Sequence, residues 1–105
     1  NTFSAETLTN APNQEIFSVA ANTLQTIKFD IISSVNGTQD SQTATIMATK
    51  SNAGTTASFT IHNTIFIGNV VTHYSVSSSY GNIVLKVSPF INNRITHNVS
   101  YQYVK

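Results

Sequence analysis

The chain has 105 residues and a formal net charge of +1, and only 9% of it is Asp, Glu, Lys or Arg, where an ordinary globular domain carries about 25%. That length suits one compact domain, and the five basic residues Lys28, Lys50, Lys86, Arg94 and Lys105 are too scattered to form the dense basic face that nucleic acid requires. The absence of cysteine excludes disulfides, thiolate nucleophiles and cysteine-bound metals, and apolar runs such as Ile65 to Ile67 fall far short of a membrane span.

Polarity resides instead in Ser, Thr and Asn. Uncharged hydroxyls and amides make hydrogen bonds that depend little on salt or mild pH, and they form a surface that is readily buried against a neighbour. A chain without thiols suits both cytosolic assembly and the outside of the cell. It opens with Asn1 and not Met, as expected of a processed product or an excised domain.

In chain order, residues 1–12 hold only Phe3 and Leu8 as large apolar side chains before Pro12. They read as an N-terminal arm, a linker or an edge strand, with Phe3 and Leu8 as the side chains that would dock such an arm onto a neighbouring subunit. Residues 13–105 form the expected folded domain. A strand is predicted near Glu15 to Ala20. The clearest follows, where Ile27, Phe29 and Ile31 alternate with Lys28 and Asp30 in the period of a strand with one buried face. Val35 to Asp40 is turn sequence, with Gly37 inside it.

Ala44, Ile46 and Ala48 alternate with threonines and Met47, and Ala57, Phe59 and Ile61 alternate with Thr56, Ser58, Thr60 and His62. These are two more strands with one buried face each, joined as a hairpin through Ser51 to Thr55. Val70, Thr72, Tyr74 and Val76 form one face of the next strand, and Ile83, Leu85 and Val87 one face of its partner. The turn between them contains Tyr80. Pro89, which lacks a ladder donor, ends the second strand. A last strand runs from Arg94 to Val104 with Ile95, His97, Val99, Tyr101 and Tyr103 on one side. No segment carries a helical period. About eight short strands predict an all-β, antiparallel β-sandwich or flattened barrel, with jelly-roll and immunoglobulin-like topologies both open.

Candidate chemistry is sparse. His62 and His73 fall on polar strand faces and His97 on an apolar one, and their spacing offers no start for a zinc site. The acids Glu6, Glu15, Asp30 and Asp40 are dispersed, although Asp30 with a histidine would imitate part of a catalytic triad. Ser77 to Ser79 lacks the glycine pattern of a nucleophile elbow, and the four glycines stand singly, which excludes a phosphate loop. The sequence therefore predicts no enzyme, no metal and no cofactor. Tyr74, Tyr80, Tyr101 and Tyr103 are the candidate ligand or interface aromatics, either a sugar platform supported by Asn and Gln or filling for the core and a subunit contact. Asn36-Gly37-Thr38 and Asn98-Val99-Ser100 match the glycosylation acceptor pattern, which is common in so Asn-rich a chain.

Three segments carry a family resemblance: Lys28-Phe29-Asp30-Ile31, then Gly54-Thr55-Thr56 entering Ala57-Ser58-Phe59-Thr60, and finally Gly81-Asn82-Ile83-Val84-Leu85-Lys86-Val87-Ser88-Pro89. From Gln14 onward this order resembles a small β domain of tailed-phage virion proteins, especially those of phages that infect cyanobacteria and other marine bacteria. The chain departs from that pattern at His62-Asn63-Thr64, where relatives tend to be acidic. The resemblance implies a non-enzymatic structural protein of a tail, fibre, neck or capsid surface, carried on the extracellular virion as a homo-oligomer among other virion proteins. The alternatives are a module that binds a host surface glycan or receptor, and a subunit of a cellular surface filament.

Overall fold

The computed structural model describes residues 1–20, 25–50, 57–79 and 81–104. The predicted turn at 51–55 and Tyr80 lie outside them. The described residues form eight strands: β1 (Thr2–Thr7), β2 (Gln14–Ala20), β3 (Gln25–Val35), β4 (Ser41–Lys50), β5 (Ala57–Ile67), β6 (Thr72–Ser79), β7 (Asn82–Pro89) and β8 (Ile95–Val104). Every pairing is antiparallel.

The strands divide into a five-stranded sheet, ordered β1-β8-β3-β4-β5, and a three-stranded sheet, ordered β2-β7-β6. The first strand pairs with the last and the second with the seventh, which is the nested wrapping of a jelly roll. From β3 onward the nesting stops, and β3, β4 and β5 run as a meander. The expected β-sandwich is thus the observed one, built from sheets of unequal width.

Period-two alternation explains the core. Ile27, Phe29 and Ile31 of β3, Ala44, Ile46 and Ala48 of β4 and Val99 of β8 meet Tyr74, Val76, Ile83, Leu85 and Val87 of the smaller sheet. Burying one such aliphatic or aromatic side chain is worth about 1.5–3 kcal/mol. One end of this layer is aromatic: Phe3 of β1 stacks on Phe17 of β2 with ring centres 4.0 Å apart, and Tyr101 lies 4.8 Å from Phe17. Phe3 is therefore taken up within its own chain, on a strand paired along β8. Pro89 ends β7 as expected, and the backbone N–H of the next residue, Phe90, bonds the carbonyl of Val71. Lys50, at the end of β4, is fully buried, and its Nζ meets no hydrogen-bond partner among the described residues.

One expectation of burial is not met. Phe59 and Ile61 lie directly opposite the buried Ala48 and Ile46, so they face inward, yet they are 37% and 41% exposed. The reason is the width mismatch: three strands cannot cover five, and β5 is the edge left over. Val70, read as part of the β6 face, precedes that strand and is also exposed.

Candidate functional site

A chain of buried polar groups crosses the sandwich. Ser33 of β3 lies 2.7 Å from the Tyr74 hydroxyl of β6 and 2.7 Å from His97 Nδ1 of β8, and His97 Nε2 lies 3.1 Å from Thr7 Oγ1 of β1. One proton arrangement satisfies every member: Tyr74 donates to Ser33, Ser33 to Nδ1, and Nε2–H to Thr7. Burial pushes the His97 imidazole down to about 4. It also pushes the Tyr74 phenol up to about 12, against a smaller opposing effect of the Ser33 bond. A serine beside a histidine has the outline of a nucleophile and base, but Ser33 and His97 are fully buried, and among the described residues no carboxylate hydrogen-bonds the imidazole. The arrangement holds the two sheets together.

Among the described residues the other acids and histidines do not converge on one site. Asp30 accepts a bond from Thr45 at 2.8 Å and lies 3.9 Å from Lys28, with no histidine beside it among these contacts. His62 bonds Thr60 on the outer face of β5, and His73 sits edge-on to Phe90 at 4.5 Å. Among the described residues, no three His, Asp or Glu side chains come together.

The three described tyrosines do not form one platform. Tyr74 is inside, Tyr101 is half-buried in the aromatic cluster, and the partly exposed Tyr103 donates its hydroxyl to the carbonyl of Ala20. Leu8, just past β1, is exposed.

Two surfaces remain. The first is β5, an eleven-residue edge strand without a charged residue. A bulge where Thr43 and Thr45 oppose Ile65 and His62 adds one residue to β5, and Asn63 takes the positive φ of 53° there, a conformation that asparagine tolerates well. The inserted residue reverses the alternation. Phe66 joins Phe59 and Ile61 on the inner side, opposite Gln42, while Ile65 and Ile67 point outward. Past the bulge the outer face is consequently apolar too, with Ile65 and Ile67 more than 60% exposed. Beside it, Ile61, Phe66, Val70 and His73 line a cleft of about 280 Å³ at the open side of the sandwich. Exposed strand edges of this length and character are templates for pairing with another chain.

The second surface is the outer face of the larger sheet, where a depression of about 500 Å³ lies over β1, β8, β3 and β4. Its exposed side chains are hydroxyls, an amide and the Asp30 carboxylate around Ile32.

Over 98% of its length the chain shares its fold with a segment of the tailspike protein of Acinetobacter baumannii phage AM24, at a TM-score of 0.63 and 10% identity. Over 96% it is similar to the tailspike protein of Acinetobacter phage vB_ApiP_P1, at a TM-score of 0.50 and 14% identity. Both neighbours are phage tailspikes. The chain spans 25% and 22% of the two tailspike chains, so the likeness concerns one module of each and is a likeness of fold. Both tailspikes come from Acinetobacter phages, so the narrower cyanophage and marine association has no counterpart in them. No protein-family description matches the chain, and no curated protein does.

Neither surface follows from the strand periodicity alone. The signal for β5 was present as Ile65-Phe66-Ile67, an apolar triplet that no period-two strand can bury on one face. The depression has no local signal, because its members lie on four strands.

Proposed function

We propose that the chain is a non-enzymatic β-sandwich module of a phage tail spike or fibre, carried on the virion, which assembles with copies of itself through the edge at β5. The observation that carries this reading is β5 itself. It is long and uncharged, apolar on its inner face and from Ile65 on its outer face as well, where the opposite edge strand, β1, is short and carries the charged Glu6. Natural sheets protect edges that are meant to stay single with charges, prolines and brevity. A second copy laid against β5 would cover Phe59, Ile61 and Phe66 and add a neighbour to the unpaired side of the strand, giving an interface core rich in aromatic and apolar residues.

The tailspike neighbours support the placement on a virion, since nearly the whole chain follows a segment of each. The non-enzymatic reading is supported by the burial of Ser33 and His97 and the dispersal of the remaining acids and histidines. Native mass spectrometry of the purified chain tests assembly: the reading predicts a discrete multimer, and a monomer at high protein concentration rejects it.

A further inference from the structure

Both sheets present a free edge on the same side of the sandwich. These edges are β5 of the larger sheet and β6 of the smaller, joined there by the short crossover over residues 68–71. Neither strand contains Asp, Glu, Lys or Arg, whereas the edges on the opposite side, β1 and β2, carry Glu6 and Glu15. Charge therefore guards one side of the sandwich against strand pairing and is missing from the other. The smaller sheet also stops short on the uncharged side. Among the described residues no strand beyond β6 lies under Phe59, Ile61 and Phe66, the inner face of β5, and the cleft of about 280 Å³ lined by Ile61, Phe66, Thr72 and Tyr74 marks the gap.

We propose that β5 of a second copy fills this gap, pairing antiparallel with β6, so that the larger sheet of one protomer continues into the smaller sheet of the next. The inference rests on the reading of β5 as an assembly edge and names the surface that receives it. Pairing β5 with β5 of another copy would satisfy the edge but leave its inner face open, because both strands would lie in one layer and the smaller sheets end short of them. Pairing with β6 places the incoming strand in the opposite layer, about 10 Å away, where its apolar inner face meets that of the first β5. Each copy then uses both free edges, as a closed rotational assembly allows. The two strands contribute eleven and eight residues, close to the roughly 20–30 residues a side of a standard interface.

The bulge in β5 fits the same arrangement. The crossover brings the start of β6 to the height at which β5 ends, and a rotation axis along the strands keeps every residue at its own height. The end of one β5 then lies beside the start of the next copy's β6. Ile65 and Ile67, turned outward by the bulge, would flank His73 and Phe90 of that copy. His73 points outward because Tyr74 packs inward, and Phe90 sits edge-on to it at 4.5 Å and is 45% exposed. Farther from the crossover the outward residues of β5 are polar, and there Thr60 and His62 would lie beside Ser75 and Ser77. The apolar and polar stretches of the two edges therefore match.

The chain has no cysteine, so introduced thiols can map the pairing. Thr60→Cys or His62→Cys on β5 is refolded together with Ser75→Cys or Ser77→Cys on β6, the mixture is mildly oxidised, and the linked species are identified by mass spectrometry. These positions face outward from opposite sheets, too far apart within one chain for a disulfide, so every link joins two copies. The proposal predicts links between a β5 thiol and a β6 thiol. Hydrogen exchange of the parent supplies a readout without substitution: raising the concentration should slow exchange in β6 together with β5. Links that join β5 only to β5, a multimer without β5-to-β6 links, or slowing confined to β5 would each overturn the pairing and leave assembly through β5 standing. A parent that keeps the monomer mass at high concentration removes both.

Discussion

Ser33 Oγ lies the same 2.7 Å from His97 Nδ1 and from the Tyr74 hydroxyl, so one buried serine ties the larger sheet to the smaller. Because the imidazole bonds in its neutral form, protonating it would place an unpaired charge inside the sandwich.

Stability should therefore fall in mild acid. The pKa of His97 is about 4 in the fold against an ordinary 6.5. Between those values the unfolded chain binds a proton that the native chain does not, so stability is complete above pH 6.5, declines as the pH drops, and levels off below about 4. The shift corresponds to roughly 3 kcal/mol. Urea unfolding at pH 7 and pH 4.5 should show the loss in the parent, while His97→Gln, weaker at neutral pH, should lose much less on acidification. Equal pH dependence in the two proteins would contradict this role. At the alkaline end Tyr74, at about 12 against 10, predicts the opposite slope: the unfolded chain ionises first, and stability falls as the pH rises above 10.

Gln42 carries the crossover from β5 to β6. Its Oε1 accepts from the backbone N–H groups of Val71 and Thr72 at 3.1 and 3.2 Å, and its Nε2 donates to the Thr72 carbonyl at 2.9 Å. Gln42→Leu fills the same space but leaves buried backbone groups unpaired, and it should cost about 3 kcal/mol in urea unfolding. A cost under about 1 kcal/mol would mean that water replaces the amide without penalty.

The strands were legible in the sequence because burial on one face writes period two into residues such as Ile27, Phe29 and Ile31. His97 was legible for the same reason, as a polar residue in an apolar phase. Its partners were not: Ser33 and Thr7 lie 64 and 90 positions away, and no local pattern joins them. The exposure of Phe59 and Ile61 was equally hidden. It depends on how many strands the opposite sheet contains, and that number follows from the crossover after β5. The first strand was ambiguous because Phe3 is the only large apolar residue within it, and its role depends on Phe17 in the next strand.

Two glycines with the same backbone conformation should respond differently to alanine. Gly37 and Gly68 have φ values of +78° and +76°, but a Cβ at Gly37 would meet open space, whereas one at Gly68 would collide with the Asp40 carboxylate. That carboxylate also accepts from the N–H of Asn69. Gly37→Ala should cost the left-handed strain alone, about 1–2 kcal/mol. Gly68→Ala should cost clearly more in thermal unfolding, and equal costs would show that Asp40 moves aside freely.

The central claim is that β5 is an interface. Its most direct test is the mass in solution, by light scattering during size exclusion, of the parent and of the double variant Phe59→Ser, Phe66→Ser. Both side chains are exposed in the single chain, so the variant should keep its fold. The account predicts a multimeric parent and a variant reduced to the 11.4 kDa monomer with little change in thermal stability of the protomer. A parent that is monomeric at high concentration, or a variant that assembles as the parent does, would contradict it.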